Sequence, residues 1–129
     1  MDTPVSGTPR VLLRVEALVV LVASVAGYQA LGASWVMFAL LFLVPDAALV
    51  AYAAGPRIGA HVYNALHTYV APAVLAALVY LDVAPRAWPI CLIWTAHIGM
   101  DRSLGIGLKF ATAFRDTHLG TVGRAVPAA

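Results

Sequence analysis

Residues 35–54 read WVMFALLFLVPDAALVAYAA, a twenty-residue run whose one charge is Asp46 and whose one proline, Pro45, stands directly before it. A helix crossing the hydrocarbon core of a bilayer needs about 20 mostly apolar residues. The run therefore predicts a membrane span with a carboxylate inside it. An ionisable residue in that position is costly and points to function.

Comparable stretches lie on both sides. One covers 11–31, with Arg14 and Glu16 near its start and Gly32 after its end; another covers 58–81, with His67 near its middle; a last one covers 87–104 and holds His97 and Asp101. Composition agrees with four spans: 62% of residues are hydrophobic, 11% are charged and mean hydropathy is +0.87. Soluble domains are about half apolar and a quarter charged. The connections are too short to hold other elements, so neighbours run antiparallel. The expected fold class is all-α, an integral-membrane four-helix up-and-down bundle. At 129 residues there is room for one domain, and a bundle this thin makes a homo-oligomer a reasonable expectation.

Charge sets the expected orientation. One side of such a bundle receives Arg10, Arg14, Arg57, Arg102, Lys109, Arg115 and Arg124, and the other receives Arg86 alone. The positive-inside rule puts the first side, and both termini, in the cytoplasm, which predicts a multi-pass protein of the cytoplasmic (inner) membrane. The net charge of +2 comes with no basic run, so no nucleic-acid partner is expected; membrane lipid is. Arg10, Arg14 and the apolar run up to Ala26 have the outline of a cleavable signal peptide, but Glu16 beside that run argues against one. Cys91 is a lone cysteine in an apolar stretch and reads as packing.

The ends differ from the spans. Residues 1–9 hold two prolines and small polar residues and read as a disordered N-terminus. Residues 105–120 interleave Leu108, Phe110, Phe114 and Leu119 with Lys109, Arg115, Asp116 and His118, which predicts a short amphipathic segment at the cytoplasmic interface. Residues 121–129 read as a flexible tail. No internal repeat is present.

The polar residues of the spans fall at similar depth. At 1.5 Å per helical residue, Asp46 lies about 12 Å from the cytoplasmic end of its span and His67 about 15 Å from Arg57. Glu16, His97 and Asp101 lie nearer the same surface, whereas the outer half holds Tyr28, Gln29, Tyr80 and tryptophans of an interfacial belt. This clustering predicts one shared site. His97 and Asp101, four residues apart on one helix face, suit two ligands of one metal ion or a carboxylate orienting an imidazole. His67 is the natural third ligand, and a divalent transition metal such as Zn, Mn or Fe fits the mixed nitrogen and oxygen donors. His61, nearer the boundary, reads as solvated.

Asp46 is expected to serve catalysis; Pro45 before it bends the helix and leaves the Leu41 carbonyl free beside the carboxylate, which would shape a cavity. Asp116 and His118, folded back at the mouth, would handle protons. Glu16, Asn64 and Thr68 are expected in supporting positions. The bland reading of the same residues is hydrogen-bonding glue between helices. No Gly-rich phosphate loop, Ser-His-Asp order, paired-cysteine metal site or haem-attachment motif appears.

The motifs Leu13-Arg14-Val15-Glu16, Val44-Pro45-Asp46, Tyr63-Asn64-Ala65-Leu66-His67-Thr68-Tyr69, Trp94 to Arg102, and Gly107-Leu108-Lys109-Phe110 through Phe114 to Gly120 together resemble a small bacterial family of multi-span membrane proteins catalogued as a domain of unknown function. The resemblance covers about 11–120 and implies membrane spans without implying a reaction. In design only, the chain is also similar to small bacterial membrane hydrolases that hold a metal between His and Asp on membrane helices, though their full motif is not present. The function these features point to is a metal-dependent hydrolase acting on a lipid-like or apolar substrate. The alternatives are a proton- or ion-handling membrane protein and a structural or partner-binding subunit.

Overall fold

In a computed structural model, residues 2–124 form five α-helices and one two-residue hairpin. The helices are α1 (Gly7–Leu31), α2 (Trp35–Phe42), α3 (Pro56–His67), α4 (Val70–Tyr80) and α5 (Trp88–Ser103). A 3-10 segment, Val44–Ala54, joins α2 to α3. The all-α expectation holds. The expected tail lies outside the described residues from 125 onward.

The spans are less regular than their composition predicts. The first is continuous, and α1 begins at Gly7, so the expected N-terminal disorder reaches no further than residue 6; even there the Val5 N–H donates to the His118 carbonyl at 2.7 Å. The second stops being α-helical at Leu43. Pro45 has no N–H to continue the α-helical ladder, and the chain tightens instead, with Asp46 N donating to Leu43 O at 3.1 Å. The Leu41 carbonyl, expected to stay free, accepts the Leu43 N–H. A 3-10 run of 11 residues is long for a conformation normally used in short pieces.

The third span is broken too. Pro72 cannot donate to the Thr68 carbonyl and its ring crowds it. Thr68 is extended at φ −93° and ψ 144°, and α3 and α4 meet at a bend of 40°. The Thr68 hydroxyl accepts from Val70 N at 3.4 Å, at the start of α4.

By length and composition, α1 and Trp35–Ala54 can cross a membrane, and α3 with α4 makes up to three crossings. Large apolar side chains face outward along them, among them Val19, Val36, Leu40, Val50 and Val74. Such a surface is at home in lipid. The chain is a membrane protein. The last stretch, α5, has 16 residues and is the packing centre, lying against α1, α2 and α4 while α3 lies against the 3-10 segment. Its contact with α1 depends on Gly99, where an added Cβ would come within 2.9 Å of the Ala17 carbonyl oxygen. Small residues at such crossings let two backbones approach.

After α5 the chain folds back as irregular structure rather than lying out as an amphipathic segment. Asp116–Thr117 pairs with Gly120–Thr121, and Thr117, Leu119 and Lys109 are buried. Asn64 of α3 holds this cap through both amide atoms, donating to Lys109 O at 2.9 Å and accepting from Lys109 N at 2.7 Å.

Candidate metal centre

The two breaks and the central helix deliver four side chains to one point. Asp46 comes from the first turn of the 3-10 segment, His67 is the last residue of α3, and His97 and Asp101 lie one turn apart on α5. One donor atom from each lies within 4.8 Å of all the others. His67 Nε2 is 3.1 Å from His97 Nε2, 3.4 Å from Asp46 Oδ1 and 3.6 Å from Asp101 Oδ2. His97 Nε2 is 3.5 Å from Asp46 Oδ1 and 3.6 Å from Asp101 Oδ2. His97, His67 and Asp101 are buried, whereas the Asp46 side chain is 40% exposed and forms the open side.

Neighbouring groups pack against three of the four donors. The His67 ring stacks on Tyr63 at 3.7 Å and 9°, and its Nδ1 lies 2.9 Å from the Tyr63 carbonyl. A carbonyl only accepts, so Nδ1 carries the proton and Nε2 turns a lone pair inward. The Tyr63 hydroxyl donates to Asp101 Oδ2 at 3.1 Å. Phe42 sets its ring against His97 at 5.3 Å. Because α3 ends at His67, its last carbonyls need partners. Trp94 Nε1 donates to Leu66 O at 2.7 Å and Arg102 to His67 O at 3.3 Å, both reaching from α5.

Charge accounting makes this geometry unusual. Two carboxylates and the His67 lone pair converge, and His97 Nδ1 is buried without a hydrogen-bond partner among the described residues. The nearby cation, Lys109, spends its ammonium on the Phe114 carbonyl at 2.6 Å and lies over the rings of Tyr63 and Phe114. Burial pulls the Lys109 pKa down, and Asp101 and Asp46 act in the opposite direction.

The other expected site residues lie elsewhere. Asp116 accepts from the Thr112 hydroxyl at 2.9 Å, and His118 Nδ1 accepts from Leu108 N at 2.8 Å. Neither joins the four-residue group, so the expected completion of the cluster from the tail does not occur among the described residues. They are held by the hydrogen bonds of their own cap. Glu16 is exposed and borders a separate cavity of about 140 Å³ with Tyr69, Arg102 and His118. Asn64 holds the cap, Thr68 serves the start of α4, and His61 is exposed.

Tyr63, Phe42, Trp94, Lys109 and Arg102 were not expected at the centre. Tyr63 carries a sequence signal, four residues before His67 on the same helix face. Phe42 and Lys109 carry none, because both arrive through tertiary packing.

An all-α membrane protein with two histidines and two aspartates gathered between its helices is the class this geometry defines. The chain belongs to the family described as a domain of unknown function, DUF4260, whose model matches residues 10–122. No curated protein matches it, and no solved structure does.

Proposed function

We propose that this centre binds one divalent transition metal, Zn, Mn or Fe, and that the protein is a metal-dependent hydrolase working on a lipid-like or apolar substrate. The observation that carries the reading is the donor spacing. A metal with ligands at about 2.0 to 2.2 Å in a tetrahedron sets its donors about 3.3 to 3.6 Å apart. Of the three contacts among the ligands His67, His97 and Asp101, two measure 3.6 Å and the His67–His97 contact is 3.1 Å, while Asp46 Oδ1 stands 3.4 and 3.5 Å from the two histidine nitrogens. A divalent cation also balances the two converging carboxylates, of which the buried Asp101 is the costlier to leave uncompensated.

The division of labour follows from exposure. His67, His97 and Asp101 are the buried ligands, with Tyr63 orienting two of them. Asp46, the exposed member, faces the position where water enters. Three protein ligands and an open fourth position are the pattern of catalytic rather than structural zinc. A metal held by His67, His97 and Asp101 would supply Lewis acidity for activating water, and Asp46 Oδ1, on the open side, is placed to take a proton and pass it to a leaving group.

The substrate class comes from the space next door. A cavity of about 210 Å³ lies between Leu41, Val44, Pro45, Leu66, Ile93 and Trp94. Pro45 and Leu66 are the chain neighbours of Asp46 and His67, so an apolar chain in this cavity would carry its polar end towards the donors. We place the centre in the cytoplasmic half of a four-span bundle in the inner membrane, with both termini in the cytoplasm. The excess of arginine on that side supports the orientation.

Metal analysis of the protein purified in mild detergent tests the reading. One transition-metal ion per chain is expected, with His97→Ala and Asp101→Ala each losing it. A parent that folds normally, takes up no metal on addition of Zn, Mn or Fe and is unchanged by chelator would overturn it.

A further inference from the structure

A second polar site lies at the end of the bundle where α1 begins and α5 ends. A cavity of about 440 Å³ opens there, lined by Arg10, Arg14 and Arg124 together with residues 104–106 and 121–123. Among the described residues, no carboxylate lines it. Three guanidinium groups on one cavity repel one another unless something anionic comes between them.

The arginines are set in place, not merely adjacent. Arg10 Nε is buried and has no hydrogen-bond partner among the described residues. Its guanidinium passes two glycines with positive φ. A Cβ at Gly120, φ +120°, would lie 3.0 Å from Arg10 Nη2, and one at Gly105, φ +89°, would lie 3.8 Å from the same atom. Any larger residue at 120 would crowd the arginine as well as strain the backbone. Arg14 is anchored through Nε to the Ser103 carbonyl at 2.9 Å, at the C-terminal turn of α5. That bond uses one of its five donors and leaves the terminal amino groups to face the cavity.

We infer that this pocket binds a phosphate group, held between Arg10 and Arg14 and closed over by Arg124. The planar fork of arginine matches phosphate oxygens two at a time. Phosphate of this kind is offered by an anionic lipid headgroup or by a soluble phosphate compound. The site stands apart from the His/Asp centre, so either assignment can fail while the other stands.

The test is binding to the full chain in neutral detergent, with inorganic phosphate and phosphatidic acid as probes and phosphatidylcholine as the control lipid. Saturable binding of at least one phosphate probe is expected, with phosphatidylcholine much weaker. Arg10→Gln and Arg14→Gln should each weaken it about tenfold, and Arg10→Lys, which keeps the charge but not the fork, by less. Arg115→Gln, outside the pocket, should leave it unchanged. Binding of phosphatidic acid alone identifies a lipid headgroup as the source, and parallel binding of inorganic phosphate identifies a soluble one. Arg124 is exposed at the cavity rim, so Arg124→Gln keeps the fold and decides the matter should the Arg10 variants not fold: a loss of about threefold supports the site. Absence of saturable binding by both probes, or binding that survives Arg124→Gln and the folded Arg10 and Arg14 variants alike, would overturn it.

Discussion

The first span and the two that follow are built from the same apolar residues and behave differently. α1 runs unbroken for 25 residues and contributes nothing to the His/Asp centre; its acidic residue, Glu16, stays on the outside. The second span breaks at Leu43 and the third at Thr68, and each brings one donor to the centre close to its break, Asp46 and His67. Breaking a helix in a membrane frees backbone groups that lipid cannot satisfy, so breaks persist only where protein supplies partners. Here Trp94 and Arg102 of α5 supply them for α3. The continuous helix supports, and the broken ones position. Their irregularity and the site have the same origin, two prolines, Pro45 directly before Asp46 and Pro72 in the helix that follows His67.

The contrast between α1 and the broken spans is open to direct attack. The largest effect should come from His67→Ala set against Glu16→Ala. Metal affinity measured by competition with a chelating dye should fall about a hundredfold or more in the first, since a ligand is lost and exceeds the cost of losing a supporting group, and stay at the parental value in the second. Equal loss in both would erase the distinction between the spans.

The supporting role of α1 is tested at its closest contact. Gly99→Val places a branched side chain where even a Cβ would lie 2.9 Å from the Ala17 carbonyl oxygen. Thermal denaturation in detergent should show a destabilisation of about 1 to 3 kcal/mol or more, as α1 is pushed from α5. A parental melting temperature would mean that the two helices do not meet as closely as described.

Tyr63→Phe sharpens the same comparison from the other side. It removes the 3.1 Å hydrogen bond to Asp101 while keeping the ring stacked on His67. Metal affinity should drop about tenfold, with the fold intact by circular dichroism. No change in affinity would mean that the hydroxyl does not orient the carboxylate.

The smallest expected effect concerns pH and the cap over these helices. Burial, with Arg102 nearby, lowers the His118 pKa below its usual 6.5, and the neutral ring accepts the Leu108 N–H. Glu16, Tyr69 and Arg102 border the same cavity. As pH falls through 6.5 the unfolded chain takes up a proton before the folded one, so stability rises with pH in this range. The contribution is complete above 6.5 and is lost as pH falls towards the folded value. Melting should occur about 2 °C lower at acid than at neutral pH on this account, and His118→Gln, which accepts without titrating, should flatten the dependence. An unchanged slope in that variant would assign the effect to other groups.

Much of this was legible in the chain before folding. The run 35–54, the turn at Gly55-Pro56 and the pairing of His97 with Asp101 all follow from local rules, because length, hydropathy and a four-residue period need no knowledge of partners. The break at Thr68 was legible too, in Pro72, but a mean hydropathy that stays high across 58–81 hides it. Asp116 and His118 misled for a physical reason. Their side chains find backbone and hydroxyl partners within their own cap, so polar residues near a site in sequence terms had no need of it in space.

What sequence alone determined is the membrane class, the all-α fold and the residue types available to a site, since each depends on composition or on neighbours within one helix. Which of those residues share a point was decided by tertiary structure. Two bends and the rotational phase of α5 bring Asp46 and His67 to His97 and Asp101, leave Glu16 outside, and gather Arg10, Arg14 and Arg124 around a separate cavity. Contacts between helices depend on how each is turned and bent about its axis, and that is settled by close packing such as Gly99 against α1.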